Sequence, residues 1–228
     1  MLTTIIRSAK DFFDKKILLL SFVPMLVSAS IIGFIFFLFS GTIHGFFIWI
    51  ISHIPFISGD LVVSVTQSFF GVIVFYELMI ISSVLFVGIV ADGVVDRINA
   101  KYYHLGKRGF GTFSGSMFKA IKSNILFIVL FMVLLPTMFI PFFNIFIHLL
   151  LWSILIKEPM FYDSLSFYAT KVEFNNIKKR YKLQTWIISF ISAALFLIPV
   201  FGVFLYILQL IIFTHFNLKN LKRIQNDR

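Results

Sequence analysis

Glu77 is the only charged residue in the 31-residue apolar run from Leu61 to Ala91. A carboxyl near the middle of such a run is costly in a bilayer unless it is paired or watered. It reads either as a protonatable group on an ion path or as a neutral acid bonded to a neighbouring helix. Two other apolar stretches, 125–156 and 186–216, are each broken by a similar phrase. One is Ile140-Pro141-Phe142-Phe143-Asn144; the other is Ile198-Pro199-Val200-Phe201-Gly202. Pro141 and Pro199 interrupt a helix because proline lacks the N–H and crowds the preceding turn. At membrane depth such a break must be buried in protein or line a cavity, and transporters place ion and substrate sites at breaks of this kind. Asn144 and Gly202 mark the two tips. They either offer freed backbone groups to an ion or permit a tight turn.

Other chemistry is sparse. The run Lys178-Lys179-Arg180-Tyr181-Lys182 can collect anions or touch lipid headgroups, or serve only as a topology signal, and Arg97, Lys107 and Arg108 read the same way. His44 and His53 are nine apart, a spacing that suits no metal site, and no acidic cluster joins them. His148 sits within an apolar leg, where an interhelical hydrogen bond is the expected role. The chain has no cysteine, which excludes disulfides, thiolate nucleophiles and Cys-ligated metals. It also lacks a Gly-rich phosphate loop, an HExxH and a Gly-x-Ser-x-Gly motif, so no enzyme, cofactor or metal is expected.

The elements that position these residues follow from composition. Of 228 residues 59% are hydrophobic and 13% charged, against about 25% charged in globular chains. This is the signature of an all-α integral membrane protein. The net charge of +10 is read as basic flanks of membrane segments, with an attraction to anionic lipids, and not as a nucleic-acid surface. Residues 1–16 pattern as an amphipathic helix for the membrane interface. Residues 17–39 are uncharged and long enough to span; they do not resemble a cleaved signal, because Ser28-Ala29-Ser30 lies inside the apolar run. Residues 40–60 contain no Lys or Arg and form a short interfacial segment, and 61–91 is a second transmembrane span, longer than a bilayer needs.

Charge distribution then sets topology. Segments 1–16, 92–124, 157–185 and 215–228 carry four, six, six and four Lys/Arg, all 20 in the chain. The positive-inside rule places all four in the cytoplasm. Each broken stretch therefore begins and ends on one side. The apolar legs 125–135 and 145–156 have only 11 and 12 residues, and 186–198 and 203–214 have 13 and 12. At about 1.5 Å per residue they reach ~16–20 Å, short of a hydrocarbon core of ~30 Å. Residues 125–156 and 186–214 are thus predicted to be re-entrant, hemi-penetrating hairpins within one membrane domain, 1–228; the alternative, a single kinked span for each, would send 157–185 and its six basic residues outside. Residues 105–111, Leu-Gly-Lys-Arg-Gly-Phe-Gly, read as a turn-rich loop.

The order of these features resembles the CysZ / etoposide-induced-protein family of membrane proteins. The likeness runs from Asp11-Phe12-Phe13 and Pro24 through Phe139-Ile140 and Pro141-Phe142-Phe143-Asn144 to the Ile198-Pro199 hairpin ending near Thr214. It implies two long transmembrane helices with two hemi-penetrating hairpins, and a bacterial sulfate permease. Sulfate-transporting members carry a Gly-Leu-Arg-Arg type motif before the proline that opens the first span. Here the stretch reads Lys15-Lys16-Ile17-Leu18-Leu19, so the Arg pair is absent and two lysines stand nearby. Lysine is a point charge without the bidentate fork of arginine.

The expectation is an inner-membrane permease for sulfate or a related small inorganic anion, with its N-terminus cytoplasmic. Lys15 and Lys16 would attract the ion, backbone near Asn144 and Gly202 would help desolvate it, and Glu77 would couple a proton. The alternative is a non-transporting scaffold that binds proteins or anionic lipids through its basic helices. Half-spanning hairpins leave a footprint that further copies can complete, so a homo-oligomer is expected as well.

Overall fold

Asp14 separates the first two helices and starts the second. Helix α1 covers Leu2–Phe12; Asp14 is extended at φ −64° and ψ 125°, and its carboxylate accepts the Lys16 backbone N–H to cap α2, Lys15–Leu38. The computed structural model describes residues 2–52, 60–134, 143–198 and 201–227. Helix α3, Ser40–Ser52, follows, then α4, Asp60–Phe86, and α5, Gly88–Ile98, which runs into a π-helical turn at Asn99–Tyr103. The remaining helices are α6 Phe113–Leu134, α7 Phe143–Leu165, α8 Lys171–Arg180, α9 Lys182–Ala193, the short α10 Phe201–Phe204 and α11 Tyr206–Asn226. No strand occurs among the described residues.

Side-chain contacts give the topology. Phe36 meets Phe75 at one end, Leu20 lies beside Gly93, and Arg97 pairs with Asp14 at 2.8 Å, so α2 runs antiparallel to α4–α5. Phe131 meets His148 while Gly115 approaches Tyr162, so α6 and α7 are antiparallel too. Gln209 donates to the Ser192 carbonyl at 3.0 Å and Tyr181 meets Phe216, which pairs α9 with α11. Both helical pairs therefore begin and end at the same end of the bundle. That end collects the ion pairs Lys101–Asp11, Lys107–Asp96 and Lys178–Glu158, each at 2.6 Å. The four basic segments of the sequence meet there.

Among the described residues three helices are long and apolar enough to cross a membrane: α2, α6 and α7. The pair Val74–Phe86 and Gly88–Tyr103, bent by 60°, makes a fourth if counted as one span. The bend falls at Val87, next to Gly88, where the Ser116 hydroxyl of α6 occupies the space of a Cβ. The long run 61–91 thus resolves by bending. α6 and α7 have 22 and 23 residues, about 33–35 Å at the helical rise. They exceed the short apolar legs because polar turns carrying Lys119, Lys122, Lys157, Glu158 and Asp163 continue each helix. Pro141 and Pro199, the predicted breaks, lie outside the described residues.

Small residues let the pieces approach. Gly109 N–H donates to the Phe167 carbonyl at 3.1 Å and Gly111 N–H to the Ser166 carbonyl at 2.9 Å, so the 105–111 loop lies flat on the turn after α7. A Cβ at either glycine would overlap that backbone. Inside the helices, hydroxyls such as Ser153, Thr185, Ser189 and Thr214 donate to the carbonyl four residues back, which satisfies them without water.

Candidate functional site

Glu77 is buried on α4, 6% exposed, and it faces α7. Trp152 Nε1–H donates to Glu77 Oε2 at 3.0 Å, and His148 Nε2 lies 3.3 Å from Oε1. His148 and Trp152 are one helical turn apart on α7, so both reach the same carboxyl. His148 Nδ1 lies 3.1 Å from the Asn144 carbonyl at the start of α7. A carbonyl only accepts, so Nδ1 carries a hydrogen. His148 Nε2 faces the carboxylate side of Glu77 while Trp152 supplies its hydrogen bond. Glu77, His148 and Trp152 thus form one polar cluster between α4 and α7. The Asn144 Oδ1 beside it is buried without a hydrogen-bond partner.

Tyr76, the preceding residue, reaches the other hairpin. Its hydroxyl donates to the Phe196 carbonyl at 2.6 Å and sits 3.4 Å from that of Ile198. Gly202 is buried directly against it: a Cβ there would run into the Tyr76 hydroxyl and stand 3.0 Å from Phe196 Cα. The Trp152 and Phe196 rings, 5.6 Å apart, close the ring of contacts. Two consecutive residues of α4 thus meet the start of α7 on one side and Phe196 and Gly202 on the other, and Glu77, Asn144 and Gly202 lie in one neighbourhood.

Lys15 and Lys16 stand apart from it. Both are exposed at the N-terminus of α2, at the basic end of the bundle. Lys16 borders an open cleft with Asp14, Gly93, Asp96, Arg97 and Lys101. The Arg97 guanidinium holds the Asp14 carboxyl below its ordinary range, and Asp96 raises Lys107 above its own.

Several polar residues escaped the sequence. Trp152 and Tyr76 belong to apolar runs, and only the i, i+4 spacing of His148 and Trp152 signals a shared partner. Asp11 and His215, 2% and 1% exposed, pair at 2.8 Å between α1 and α11. Lys101 and Tyr102 also donate to Asp11, at 2.6 and 2.9 Å, and the Tyr103 hydroxyl lies 3.0 Å from His215 Nδ1. Asp163 is fully buried near Ser116, its carboxyl oxygens without partners. Among the described residues no group of three His, Asp or Glu is placed to hold a metal ion.

The family model described as Sulfate transporter CysZ/Etoposide-induced protein 2.4 matches residues 4–206, and the chain belongs to that family. No curated protein and no solved structure matches it.

Proposed function

We propose that this member of the Sulfate transporter CysZ/Etoposide-induced protein 2.4 family is a permease for sulfate or a related small inorganic anion, coupled to protons, in the bacterial cytoplasmic membrane. The observation that carries the reading is the buried carboxyl of Glu77 facing His148 and Trp152 on α7. A buried carboxyl–imidazole pair at membrane depth is costly and suits an ion pathway better than a packed interface. Lys15 and Lys16 attract the anion at the basic face, and backbone groups near Asn144 and Gly202 replace part of its hydration shell. The N-terminus is cytoplasmic, which puts every Lys/Arg-rich segment on the same side. In this topology α2 and α4–α5 are the long spans, and the α6–α7 and α9–α11 pairs are re-entrant. Several copies complete the membrane footprint; a monodisperse monomer in both mild detergent and nanodiscs would remove that last element.

A second reading has its own support. Trp152, Phe131 and Phe196 pack edge-on around the site, as they would around a buried strut in a non-transporting scaffold. Radiolabelled sulfate uptake into proteoliposomes, with and without an inward proton gradient, separates the two. Saturable, gradient-stimulated uptake that loses its stimulation in Glu77→Gln supports the permease. Absence of uptake of sulfate and of other small oxyanions by folded protein leaves the scaffold.

A further inference from the structure

α7 and α9 both change from apolar to basic at the same level. α7 is uncharged from Phe143 to Ile156 and then presents Lys157-Glu158; α9 opens with Lys182 and is uncharged beyond it. Between them and α8 lies a groove of about 350 Å³ whose wall includes Lys157, Lys178, Lys179, Lys182, Glu158 and Trp186. Lys178 is paired with Glu158 at 2.6 Å, and Lys157 lies 3.8 Å from that carboxylate and 3.8 Å from the centroid of the Trp186 ring. Four lysines against the one carboxylate of this wall leave an excess of three positive charges. A tryptophan at the point where helices turn polar is the usual mark of a membrane–water boundary.

We infer that this groove is a binding site for the headgroup phosphate of an acidic phospholipid, with Lys179 and Lys182 as its free cations and Trp186 as its floor. Charge complementarity alone would admit any small anion. What selects a lipid is the surface that continues from the groove: Phe190 lies one turn beyond Trp186 on the same stripe of α9 and is exposed, as is Ile187. Acyl chains cover that face, whereas a free anion gains nothing from it. Basic pockets between helices on the cytoplasmic side are the setting in which acidic headgroups are held. The inference rests on α7 and α9 lying in the membrane and is independent of which ion is transported.

The test uses the purified protein in mild detergent, with phosphatidylglycerol, phosphatidylcholine or sodium sulfate added. Thermal unfolding midpoints and lipid retention by native mass spectrometry are the readouts. Phosphatidylglycerol is expected to raise the midpoint and stay bound, and the other two are not. The double variant Lys179→Gln/Lys182→Gln should bind phosphatidylglycerol about 30-fold more weakly, and each single variant about fivefold. Lys219→Gln/Lys222→Gln, basic positions on α11 away from the groove, should bind as the parent does. Equal stabilisation by both lipids, wild-type binding by the double variant, or sulfate that reproduces the effect and displaces the lipid would each overturn the assignment. None of these outcomes bears on sulfate uptake.

Discussion

The Tyr76 hydroxyl fills the space that a Cβ on Gly202 would need while donating to the Phe196 carbonyl at 2.6 Å. α4 is thereby locked to the second hairpin by one side chain and the lack of another. Through the next residue, Glu77, the same turn of α4 is locked to the first hairpin at Trp152 and His148. A displacement of α4 would disturb both sets of contacts together.

Gly202→Ala is therefore expected to destabilise the fold by about 1–3 kcal/mol, the usual cost of overpacking. Tyr76→Phe removes the obstructing hydroxyl and one hydrogen bond, costing about 1 kcal/mol. The double variant should be more stable than the sum of the two single losses implies, since the nearest clash, with the Tyr76 hydroxyl, is gone while the tighter-than-usual approach to Phe196 remains. Denaturation of the four proteins in detergent measures this coupling. Simple additivity would show that the two residues do not share the space.

Trp152→Phe deprives Glu77 of its best-placed donor and leaves a buried acid with His148 alone. A loss of about 1–3 kcal/mol is expected, with ring packing retained. Glu77→Gln keeps an acceptor for Trp152 and should cost less. A larger destabilisation by Glu77→Gln than by Trp152→Phe in thermal melts would mean that the Trp152 bond is not what positions the carboxyl.

Gly109 and Gly106 stand in the same loop and differ in their surroundings. A Cβ on Gly109 overlaps the Ser166 and Phe167 backbone, whereas one on Gly106 meets only Arg108 Nε at 3.8 Å. Gly109→Ala should cost about 1–3 kcal/mol because backbone cannot move aside as a side chain does, and Gly106→Ala should be close to neutral. Equal melting temperatures for the two variants would contradict the close packing of this loop.

Hydrophobic runs and charge spacing already carry the helical class, the gathering of the basic segments and the interest of Glu77, Asn144 and Gly202. These depend on local sequence and on what a membrane excludes. Helix lengths were less legible. The hydropathy of residues 113–124 and 157–165 falls while the helix continues, since backbone bonding is indifferent to whether a turn faces water or lipid. The partners of Glu77 were hidden because histidine and tryptophan in an apolar leg carry no sign of which helix they face. Asp11–His215, 204 positions apart, is visible only once α1 docks on α11.

That last pair makes the docking of α1 acid-sensitive. Burial pushes the Asp11 carboxyl up, but the hydrogen bonds from Lys101, His215 and Tyr102 outweigh it and hold the group below its ordinary 3.8. Burial is also the largest influence on His215; with Arg7 and Lys101 nearby it prevails over the attraction of Asp11 and keeps the imidazole below 6.5. A group whose pKa is depressed on docking contributes stability at high pH. That contribution is lost as pH falls from the free value through the docked one. Undocked α1 therefore gains on acidification in two steps, first below about pH 6.5 as free His215 takes up a proton, then below about pH 3.8 through Asp11. The groups facing the pair are Arg7 on α1 and Lys101, Tyr102 and Tyr103 on the π-helical turn; the lysine and arginine stay charged throughout and do not reverse the sign. Hydrogen–deuterium exchange over residues 2–12, corrected for the intrinsic pH effect, should show protection falling between about pH 7 and about pH 5.5. His215→Gln should abolish that first step and leave the second. Protection of α1 that is flat across the first interval in the parent protein would show that His215 does not govern its docking.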